Sequence, residues 1–228
     1  MTMSLAITSA MNYHQWVFNS FARYLKRGLV TLEIGAGHGI YTKLLLAISN
    51  KVIATDIDQK AVININTELS PNFPVKAILM DGIDTDRINE QINNIVAINV
   101  IEHIDRDDSF IRDCYSVLSP SGRLIIFAPA FPSLYSKIDK EAGHFRRYHR
   151  ADIERLLINN GFKLLYSHYF NFIGFWGWLI NKYLGSGINA SITNSQITVF
   201  DKLVNLFKCF EIFSVFCGQS ILLVGEKS

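Results

Sequence analysis

The feature that most constrains this chain is a short apolar segment that runs directly into a glycine-rich turn. Residues 29–34 are mostly apolar and include several β-branched side chains, which predicts a strand covered on both faces. Gly35, Gly37 and Gly39 follow at alternate positions, where the missing side chains let the backbone turn sharply and a ligand approach closely. The helix predicted next directs free N–H groups towards that ligand. The segment therefore predicts a nucleotide-type cofactor site in an α/β sheet.

The spacing of the glycines argues against a dinucleotide. The NAD fingerprint G-x-G-x-x-G uses its third glycine for close packing of helix and strand. Here Ile40 holds that position and Gly39 comes one residue early. Glu33 also places a carboxylate beside the turn, where it would repel a pyrophosphate but suit a cationic ligand. We therefore expect a positively charged cofactor, with an NAD-dependent enzyme as the less favoured alternative.

The composition excludes several classes of protein. The chain has 228 residues, of which 49% are hydrophobic, and this is enough for one α/β core. It has 22 basic and 20 acidic residues, so we expect no nucleic-acid partner. Its three cysteines lack metal or redox spacing, and no basic residue precedes the first apolar positions as in a signal peptide. No apolar run reaches the length of a membrane span. We expect a cytoplasmic protein.

Polar side chains also end the next three predicted strands. Asp56 can accept two hydrogen bonds from ribose hydroxyls, and Asp58 is the better candidate for the cap of the following helix. Asp81 suits an exocyclic amine, and Asn99 follows the fourth strand. The alternation of strands and helices predicts a doubly wound parallel sheet, in which the carboxyl ends of the strands meet at one edge. These side chains should therefore converge on one ligand.

A helix is predicted before the first strand. Residues 12–27 carry apolar side chains at helical spacing, with Val17, Phe21 and Leu25 on one face. The plain interpretation is that this helix packs on the sheet. The alternative is that Tyr13 or Trp16 covers the opening of the cofactor site, and both interpretations remain open at this point.

Five segments together resemble the class I S-adenosylmethionine-dependent methyltransferases of the bacterial small-molecule type. They are residues 33–39 (E-x-G-x-G-x-G), Asp56, residues 81–82 (D-G), residues 99–104 (N-V-x-E-H-I) and residues 143–148 (G-H-F-R-R-Y). Their order and spacing match the family over residues 12–170. Two departures are His38, where threonine or serine is usual, and Ser121, where glycine is usual. Neither removes a cofactor contact that the resemblance implies.

The resemblance implies a seven-stranded, mostly parallel sheet with a reversed last strand. It implies S-adenosylmethionine as the cofactor and S-adenosylhomocysteine as the product. Residues 1–228 are then one methyltransferase domain, made of a covering helix (12–27), a cofactor-binding core (28–170), an apolar helical lid insertion (171–217) and the last strand (218–228). The predicted cofactor contacts are Tyr13 from the covering helix, Glu33, Gly35 and Gly37 at the amino-acid part, Asp56 and Ile57 at the ribose and adenine, Asp81 and Gly82 at the adenine, and Asn99 through its backbone.

Three side chains are candidates for chemistry at the methyl acceptor. Glu102 and His103 follow the fourth strand, and a pair at this place takes part in catalysis in some related methyltransferases. The plain alternative is that Glu102 caps a turn and His103 packs under the cofactor. His144 is a second candidate base. We predict no metal site, because no pair of His, Asp or Cys residues has the sequence spacing of metal ligands.

Four further features follow the fourth strand. Asp107 or Asp108 can cap the helix that runs to Leu118, residues 119–122 predict a turn, residues 123–129 predict a fifth strand, and residues 185–196 form a polar gap between two apolar segments.

A basic segment after the fifth strand, residues 144–150, is the candidate for substrate binding. Arginine side chains suit a carboxylate or phosphate, although runs of charge are more often solvated loops. The predicted substrate contacts are Tyr135, His144, Arg146, Arg147, Tyr148 and Trp176.

Residues 171–217 are more apolar than packing on one sheet edge requires. Three hypotheses follow: a lid over an apolar acceptor pocket, a homodimer face, or peripheral contact with a membrane. The resulting prediction is methyl transfer to a small-molecule acceptor, apolar with a carboxylate or phosphate. The alternative is a non-catalytic S-adenosylmethionine-binding or scaffold protein of the same fold.

Overall fold

A computed structural model of the chain describes residues 9–84, 87–184 and 194–228. Strands and helices alternate as predicted, except that the described residues between β3 and β4 contain no α-helix. The strands are β1 (Val30–Ile34), β2 (Lys51–Asp56), β3 (Val75–Leu79), β4 (Ile92–Ile98), β5 (Leu118–Pro129), β6 (Phe162–Phe170) and β7 (Ser220–Lys227). The α-helices are α1 (Met11–Phe21), α2 (Ile40–Leu46), α3 (Gln59–Glu68), α4 (Asp107–Val117), α5 (Lys137–Ala142), α6 (Arg150–Asn159), α7 (Phe172–Leu184) and α8 (Asn194–Phe207). Short 3₁₀ helices are Ala22–Tyr24, Ile101–His103, Pro132–Leu134 and Lys208–Val215.

The seven strands form one sheet in the order β3-β2-β1-β4-β5-β7-β6. β1 pairs in parallel with both β2 and β4, while β7 pairs antiparallel with β5 and β6. The order reverses between β1 and β4, and such a switch point is where ligands bind in open α/β sheets. The predicted doubly wound sheet with a reversed last strand is therefore confirmed.

The central strands are buried on both faces. In β5, Leu124 and Ile126 point into one hydrophobic cluster, while Ile125 and Phe127 point into the cluster on the opposite face. Alternate side chains of a strand point to opposite faces, so a continuous apolar run is what a sheet covered on both sides needs. This explains why the strands are visible in the sequence as apolar blocks.

Two predicted boundaries differ from the structure. The first helix ends at Phe21 and continues as the 3₁₀ turn Ala22–Tyr24, short of the predicted residue 27. The turn predicted at 119–122 is a bulge in β5, which advances from Leu118 to Arg123 while β4 advances only two residues. Both differences are local, and neither changes the order of the strands.

The predicted helix caps are right in one case and wrong in the other. Asp58 accepts a hydrogen bond from the N–H of Lys60 and caps α3, as predicted. The expectation that Asp107 or Asp108 caps α4 is wrong, because Arg106 is the cap residue and makes no side-chain capping bond. Asp107 lies one position inside the helix, where its carboxylate bonds another part of the chain.

The insertion before β7 consists of α7, α8 and the 3₁₀ helix Lys208–Val215. The predicted polar gap at 185–196 falls outside the described residues up to 193, and α8 begins at Asn194. α8 packs on α1 through the buried Val204, and Asp201 accepts a hydrogen bond from the Tyr13 N–H at 2.9 Å. Among the described residues, no helix has the length and apolar character needed to cross a bilayer.

Candidate cofactor and acceptor site

The turn between β1 and α2 has a left-handed backbone at each glycine. φ is +73° at Gly35, +50° at Gly37 and +75° at Gly39, a region that other residues rarely adopt. The N–H of Gly35 donates to Thr55 O at 2.8 Å, and a Cβ at Gly35 would lie 2.5 Å from Cγ2 of Val100. A Cβ at Gly37 would have no atom within 4 Å. The turn is therefore fixed to β2 at Gly35 and open at Gly37, which leaves space for a ligand against the backbone.

Asp56 connects this turn to the end of β2. Its Oδ2 accepts a hydrogen bond from the Gly37 N–H at 2.7 Å, and its Oδ1 accepts from the Asp58 N–H at 2.8 Å. A carboxylate oxygen has more than one lone pair, so both oxygens can still accept from a diol. The structure thus places Asp56 against the glycine turn, as the ribose hypothesis requires.

The other predicted cofactor residues lie at the same edge of the sheet. Ile57 is 73% exposed beside Asp56, and Asp81 is exposed beyond the end of β3. Gly82 has φ of +68°. Asn99 is left-handed, with φ of +53°, and its N–H donates to Phe127 O at 2.8 Å. This conformation turns the chain sharply after β4 and brings the residues that follow to the switch point.

Glu33 is buried beneath the glycine turn and is 3% exposed. Its Oε2 accepts a hydrogen bond from Thr42 Oγ1 at 2.6 Å. Burial raises the pKa of Glu33 to about 8, with a further increase from Asp56, while the bond from Thr42 opposes the change. A cationic group bound near Glu33 would favour the ionised carboxylate. Burial raises the pKa of Tyr41, and the charges of the ionised Tyr13 and Glu33 add to this increase.

Tyr13 and Trp16 occupy different environments on α1. Burial raises the pKa of the Tyr13 hydroxyl, although its hydrogen bonds with the side chains of Asn171 and Ser220 oppose this. Ser220 begins β7 opposite the end of β5, so this hydroxyl lies at the carboxyl edge. Trp16 is buried with its ring 4.5 Å from that of Phe170. Trp16 therefore packs as in the plain interpretation, whereas Tyr13 stays a predicted cofactor contact.

Glu102, His103 and His144 come together next to the switch point. Glu102 is fully buried, and neither of its carboxylate oxygens has a hydrogen-bond partner within the described part of the chain. Burial raises the pKa of Glu102 to about 8. His144 Nε2 lies 4.0 Å from Glu102 Oε1, and the ring centroids of His103 and His144 are 4.7 Å apart. Burial, and then the neighbouring His144, lower the pKa of His103.

Asp139 holds this group in place and was missed by the sequence analysis. Its Oδ1 accepts hydrogen bonds from His144 Nδ1 at 2.9 Å and from Arg147 Nε at 2.8 Å. Although burial opposes ionisation, these two bonds hold the pKa of Asp139 below its ordinary value. The N–H of Ser136 donates to the other oxygen of Asp139 in a capping box. The S-x-x-D pattern at 136–139 is typical of a capping box, and it is the sequence signal that predicts a helix start at Ser136.

The remaining predicted substrate residues fasten the segment 143–148 to the rest of the site. Arg146 Nη1 donates to Asp107 Oδ2 at 2.9 Å, and the Tyr148 hydroxyl donates to the same oxygen at 3.1 Å. The Tyr135 hydroxyl donates to the carbonyl of His144 at 2.7 Å. These side chains are thus engaged within the protein and position His144 beside Glu102.

Through α7, the insertion contacts the segments that follow β5 and α5. Trp178 Nε1 donates to Leu134 O at 3.2 Å, and the guanidinium carbon of Arg147 lies 4.6 Å from the centroid of the Trp178 ring. Trp176 is 46% exposed on the same helix. Large apolar side chains exposed on the insertion are Trp176, Ile180, Val199, Leu203, Leu206, Phe210, Ile212, Phe213, Val215 and Phe216. The lid, the dimer face and the membrane contact remain hypotheses.

Comparison with known proteins shows that part of this chain is similar to methyltransferases. Residues 32–126 match the family model described as a methyltransferase domain. The chain is 28% identical over 153 residues to a probable S-adenosylmethionine-dependent methyltransferase of Mycobacterium tuberculosis, covering 65% of this chain and 54% of the relative. It is 25% identical over 198 residues to the mitochondrial ubiquinone biosynthesis O-methyltransferase of Bos taurus, covering 74% of this chain and 51% of that protein. The chain thus spans about half the length of these curated relatives.

A solved structure has the same architecture. It is described as a SAM-dependent methyltransferase from Archaeoglobus fulgidus and superimposes with a TM-score of 0.63 at 18% identity. The match covers 95% of this chain and 94% of the other. At this identity the likeness concerns the fold, which includes the seven-stranded sheet described above.

Proposed function

We propose that the chain is a class I S-adenosylmethionine-dependent methyltransferase that transfers a methyl group from S-adenosylmethionine to a small-molecule acceptor. The relatives support the reaction class. The acceptor class rests on the residues of this chain and on the printed name of the Bos taurus relative, an O-methyltransferase of ubiquinone biosynthesis.

The observation that carries the proposal is the contact between the open glycine turn and Asp56. Gly37 leaves its backbone face free, and its N–H is bound to the carboxylate that ends β2. The same edge holds the buried carboxylate of Glu33, a setting that suits a cation and opposes a pyrophosphate. The residues that would hold the cofactor are Glu33, Gly35, Gly37, Asp56, Ile57, Asp81, Gly82 and Asn99, with Tyr13 at the opening.

S-adenosylmethionine supplies a methyl group that is already activated by a sulfonium. The protein therefore contributes mainly alignment, which is worth about 7–11 kcal/mol when the reacting groups are held near attack distance. A hydroxyl or amine acceptor must also lose a proton. Glu102 and His103 follow β4 and Asn99, while His144 comes from the segment after α5. Together these three side chains form the polar group at which that proton can be handled.

The acceptor class we propose is an apolar molecule with a hydroxyl group. Phe131, after β5, and Phe175, on α7, are 5.2 Å apart between ring centroids, and Trp178 on the same helix packs on the guanidinium of Arg147. These rings are the apolar surface that we assign to the acceptor. An anionic group on the acceptor would have to compete with Asp107 and Asp139, because these carboxylates are already paired with Arg146 and Arg147.

Calorimetry tests the cofactor and separates the alternatives. We expect S-adenosylhomocysteine to bind with one site per chain and NAD to give no heat. Binding of NAD in preference to S-adenosylhomocysteine would contradict the proposal. Transfer of a labelled methyl group from S-adenosylmethionine to a component of a small-molecule extract then distinguishes an enzyme from a non-catalytic binding protein, for which the label would stay on the cofactor.

A further inference from the structure

We propose that Glu102, His103 and His144 bind one divalent metal ion of the Zn²⁺ type, which holds and activates the hydroxyl of the acceptor. The proposal rests on the proposed function for the role of the metal, but the metal site itself is argued from the three side chains. The sequence predicted no metal because the ligands come from two segments that are far apart in the chain.

The three side chains offer the donors of a catalytic zinc site. One nitrogen of each imidazole and one oxygen of Glu102 all lie within 4.8 Å of one another. Two histidines and one carboxylate form a ligand set of catalytic zinc enzymes, with the fourth position left for water or substrate. Zinc bonds of about 2.0–2.2 Å bring donors to roughly 3–3.5 Å from each other, so the side chains need to close by about an ångström.

The carboxylate of Glu102 is the observation that points to a ligand. It is fully buried and both oxygens lack a hydrogen-bond partner among the described residues. A buried carboxyl group without partners is unfavourable, and native structures rarely leave one unless an ion, a water or a function accounts for it. One oxygen faces His144 Nε2 at 4.0 Å, which is the gap that a bridging cation would fill.

The charges around the three side chains favour a cation. Glu102 and Asp139 each bring a carboxylate, and Arg147 is the neighbouring cation, with its Nε bound to Asp139. The two imidazoles are ligands in their neutral form. When both carboxylates are ionised, the group carries one net negative charge, so a divalent ion is attracted to it.

Asp139 lies where a zinc-bound histidine usually finds a hydrogen-bond acceptor for its second ring nitrogen. It accepts a hydrogen bond from His144 Nδ1 at 2.9 Å, which leaves Nε2 of the same ring directed at Glu102. A carboxylate in this position fixes the tautomer and the orientation of a metal-bound imidazole. The Nδ1 atom of His103 lies 3.2 Å from the carbonyl of Gly143, a second contact of the same kind. Both histidine rings are thus oriented by a hydrogen-bond acceptor outside the proposed metal site.

The location gives the metal a role in the reaction. His103 is partly exposed, so both the ion and the acceptor can reach the site. A metal lowers the pKa of a bound hydroxyl group, as it does for bound water. The proton of the acceptor then leaves to solvent, an O–C bond forms as the C–S bond breaks, and the electron pair of the C–S bond stays on sulfur.

Calorimetric titration of the full-length, chelator-treated protein with Zn²⁺ tests the site. The protein carries Cys209→Ser, because this exposed thiol would bind zinc on its own. We expect one tight equivalent of Zn²⁺, weakened at least 10- to 100-fold in His144→Gln, in His103→Gln and in Glu102→Gln. His149→Gln changes an exposed histidine outside the group and should bind Zn²⁺ like the parent. With Co²⁺ as the probe, the visible spectrum of the parent should change on binding and that of His144→Gln should not.

Two results would overturn the site. One is equal Zn²⁺ affinity in the parent and in all three ligand variants, and the other is a parent that binds no Zn²⁺ at all. S-adenosylhomocysteine calorimetry on the same samples keeps this separate from the proposed function. A parent that binds S-adenosylhomocysteine but no metal contradicts only the metal site, and leaves the histidines as simple bases. A parent that binds metal but no S-adenosylhomocysteine contradicts the methyltransferase proposal and retains the site.

Discussion

Residues at the carboxyl edge of the sheet have different structural roles, even when they lie close together in the chain. Asp56 and Asp58 are two positions apart, yet Asp56 bonds the glycine turn and Asp58 caps α3. Glu33 is buried beneath the same turn. A substitution at each of these positions should therefore affect a different measurable quantity.

Asp56→Ala should weaken the binding of S-adenosylhomocysteine by roughly 10- to 150-fold, because hydrogen bonds to a charged group contribute about 1.5–3 kcal/mol. Asp58→Ala is the matched control. It removes a cap worth about 0.5–2 kcal/mol of stability and should leave the affinity unchanged. Calorimetry on both variants checks this, and unchanged affinity in Asp56→Ala would exclude the ribose contact.

Glu33→Gln should stabilise the cofactor-free protein in a manner that depends on pH. Burial raises the pKa of Glu33 from 4.5 to about 8 in the folded state. Between these values the unfolded chain is ionised while the folded chain holds the proton, so the wild type loses stability as pH rises. Glutamine removes this loss, and the excess in Tm of the variant should grow from pH 5 to pH 8 and then level off.

Thermal unfolding at a series of pH values measures this difference, with about 2–4 °C expected for each kcal/mol in a chain of this size. Glu68→Gln, at an exposed position of α3, is the control and should show little change with pH. A constant difference between Glu33→Gln and the wild type would contradict the raised pKa.

Among the elements, the turn after β1 and the insertion before β7 deviate most from regular packing. The turn uses three left-handed glycines to bring the backbone of β1 and α2 to the ligand edge. The insertion uses one face of α8, at Val204, to pack on the sheet domain, and leaves Leu206 and its neighbours exposed. An exposed apolar surface of this kind marks a contact with another molecule more often than a simple cover.

Gly35→Ala and Gly37→Ala should separate the two functions of the turn. Both substitutions impose left-handed strain of about 1–2 kcal/mol on a residue with a side chain. Gly35→Ala adds the clash with Val100 and should lower the stability of the cofactor-free protein more. Gly37→Ala meets no protein atom, and its main effect should be lost affinity for S-adenosylhomocysteine. Denaturant unfolding and calorimetry give the two rankings, and equal stability of the variants would contradict the geometry at Gly35.

At the scale of the whole molecule, strands from distant parts of the chain meet at one edge. β1, β2 and β4 lie side by side although β4 follows β1 by about sixty residues. The residues of the site therefore keep their relative positions only while the sheet is intact. A ligand bound across several strand ends should stabilise the whole sheet against unfolding.

S-adenosylhomocysteine at 100 times its Kd should stabilise the protein by about 2.7 kcal/mol, because it binds only the folded chain. For a chain of this size this corresponds to a rise in Tm of roughly 5–10 °C. Differential scanning calorimetry measures the shift, and Asp56→Ala at the same ligand concentration should reduce it. An equal shift with NAD would show that the edge does not select the cationic cofactor.

The apolar surface of residues 176–216 is also a property of the whole molecule. Size-exclusion chromatography and liposome flotation distinguish the three hypotheses for it. If the protein elutes as a dimer, the surface is the contact between two copies. If the protein floats with vesicles, the surface contacts a membrane. A monomer that ignores vesicles leaves the lid, which α7 already borders through Trp178.

The sequence by itself determined the fold, because apolar blocks are a local signal that specifies strands. The same signal predicts that Glu33, Asp56, Asp81 and Asn99 share one edge of the sheet, and the strand order brings them there. Their contacts with the cofactor stay a prediction. The capping role of Asp58 was equally local. Where the local signal was ambiguous, as at Asp107, the prediction was wrong, since a contact with Arg146 had taken the carboxylate.

Only the tertiary structure decided what surrounds Glu102. His144 follows it by 42 positions, and Asp139, which orients His144, lies in another helix. No spacing rule along the chain connects these residues, because the 3₁₀ turn after β4 and the segment after α5 are brought together by packing. Burial of Glu102 without a partner is likewise a property of the folded protein, since a carboxylate is fully hydrated until the chain closes around it.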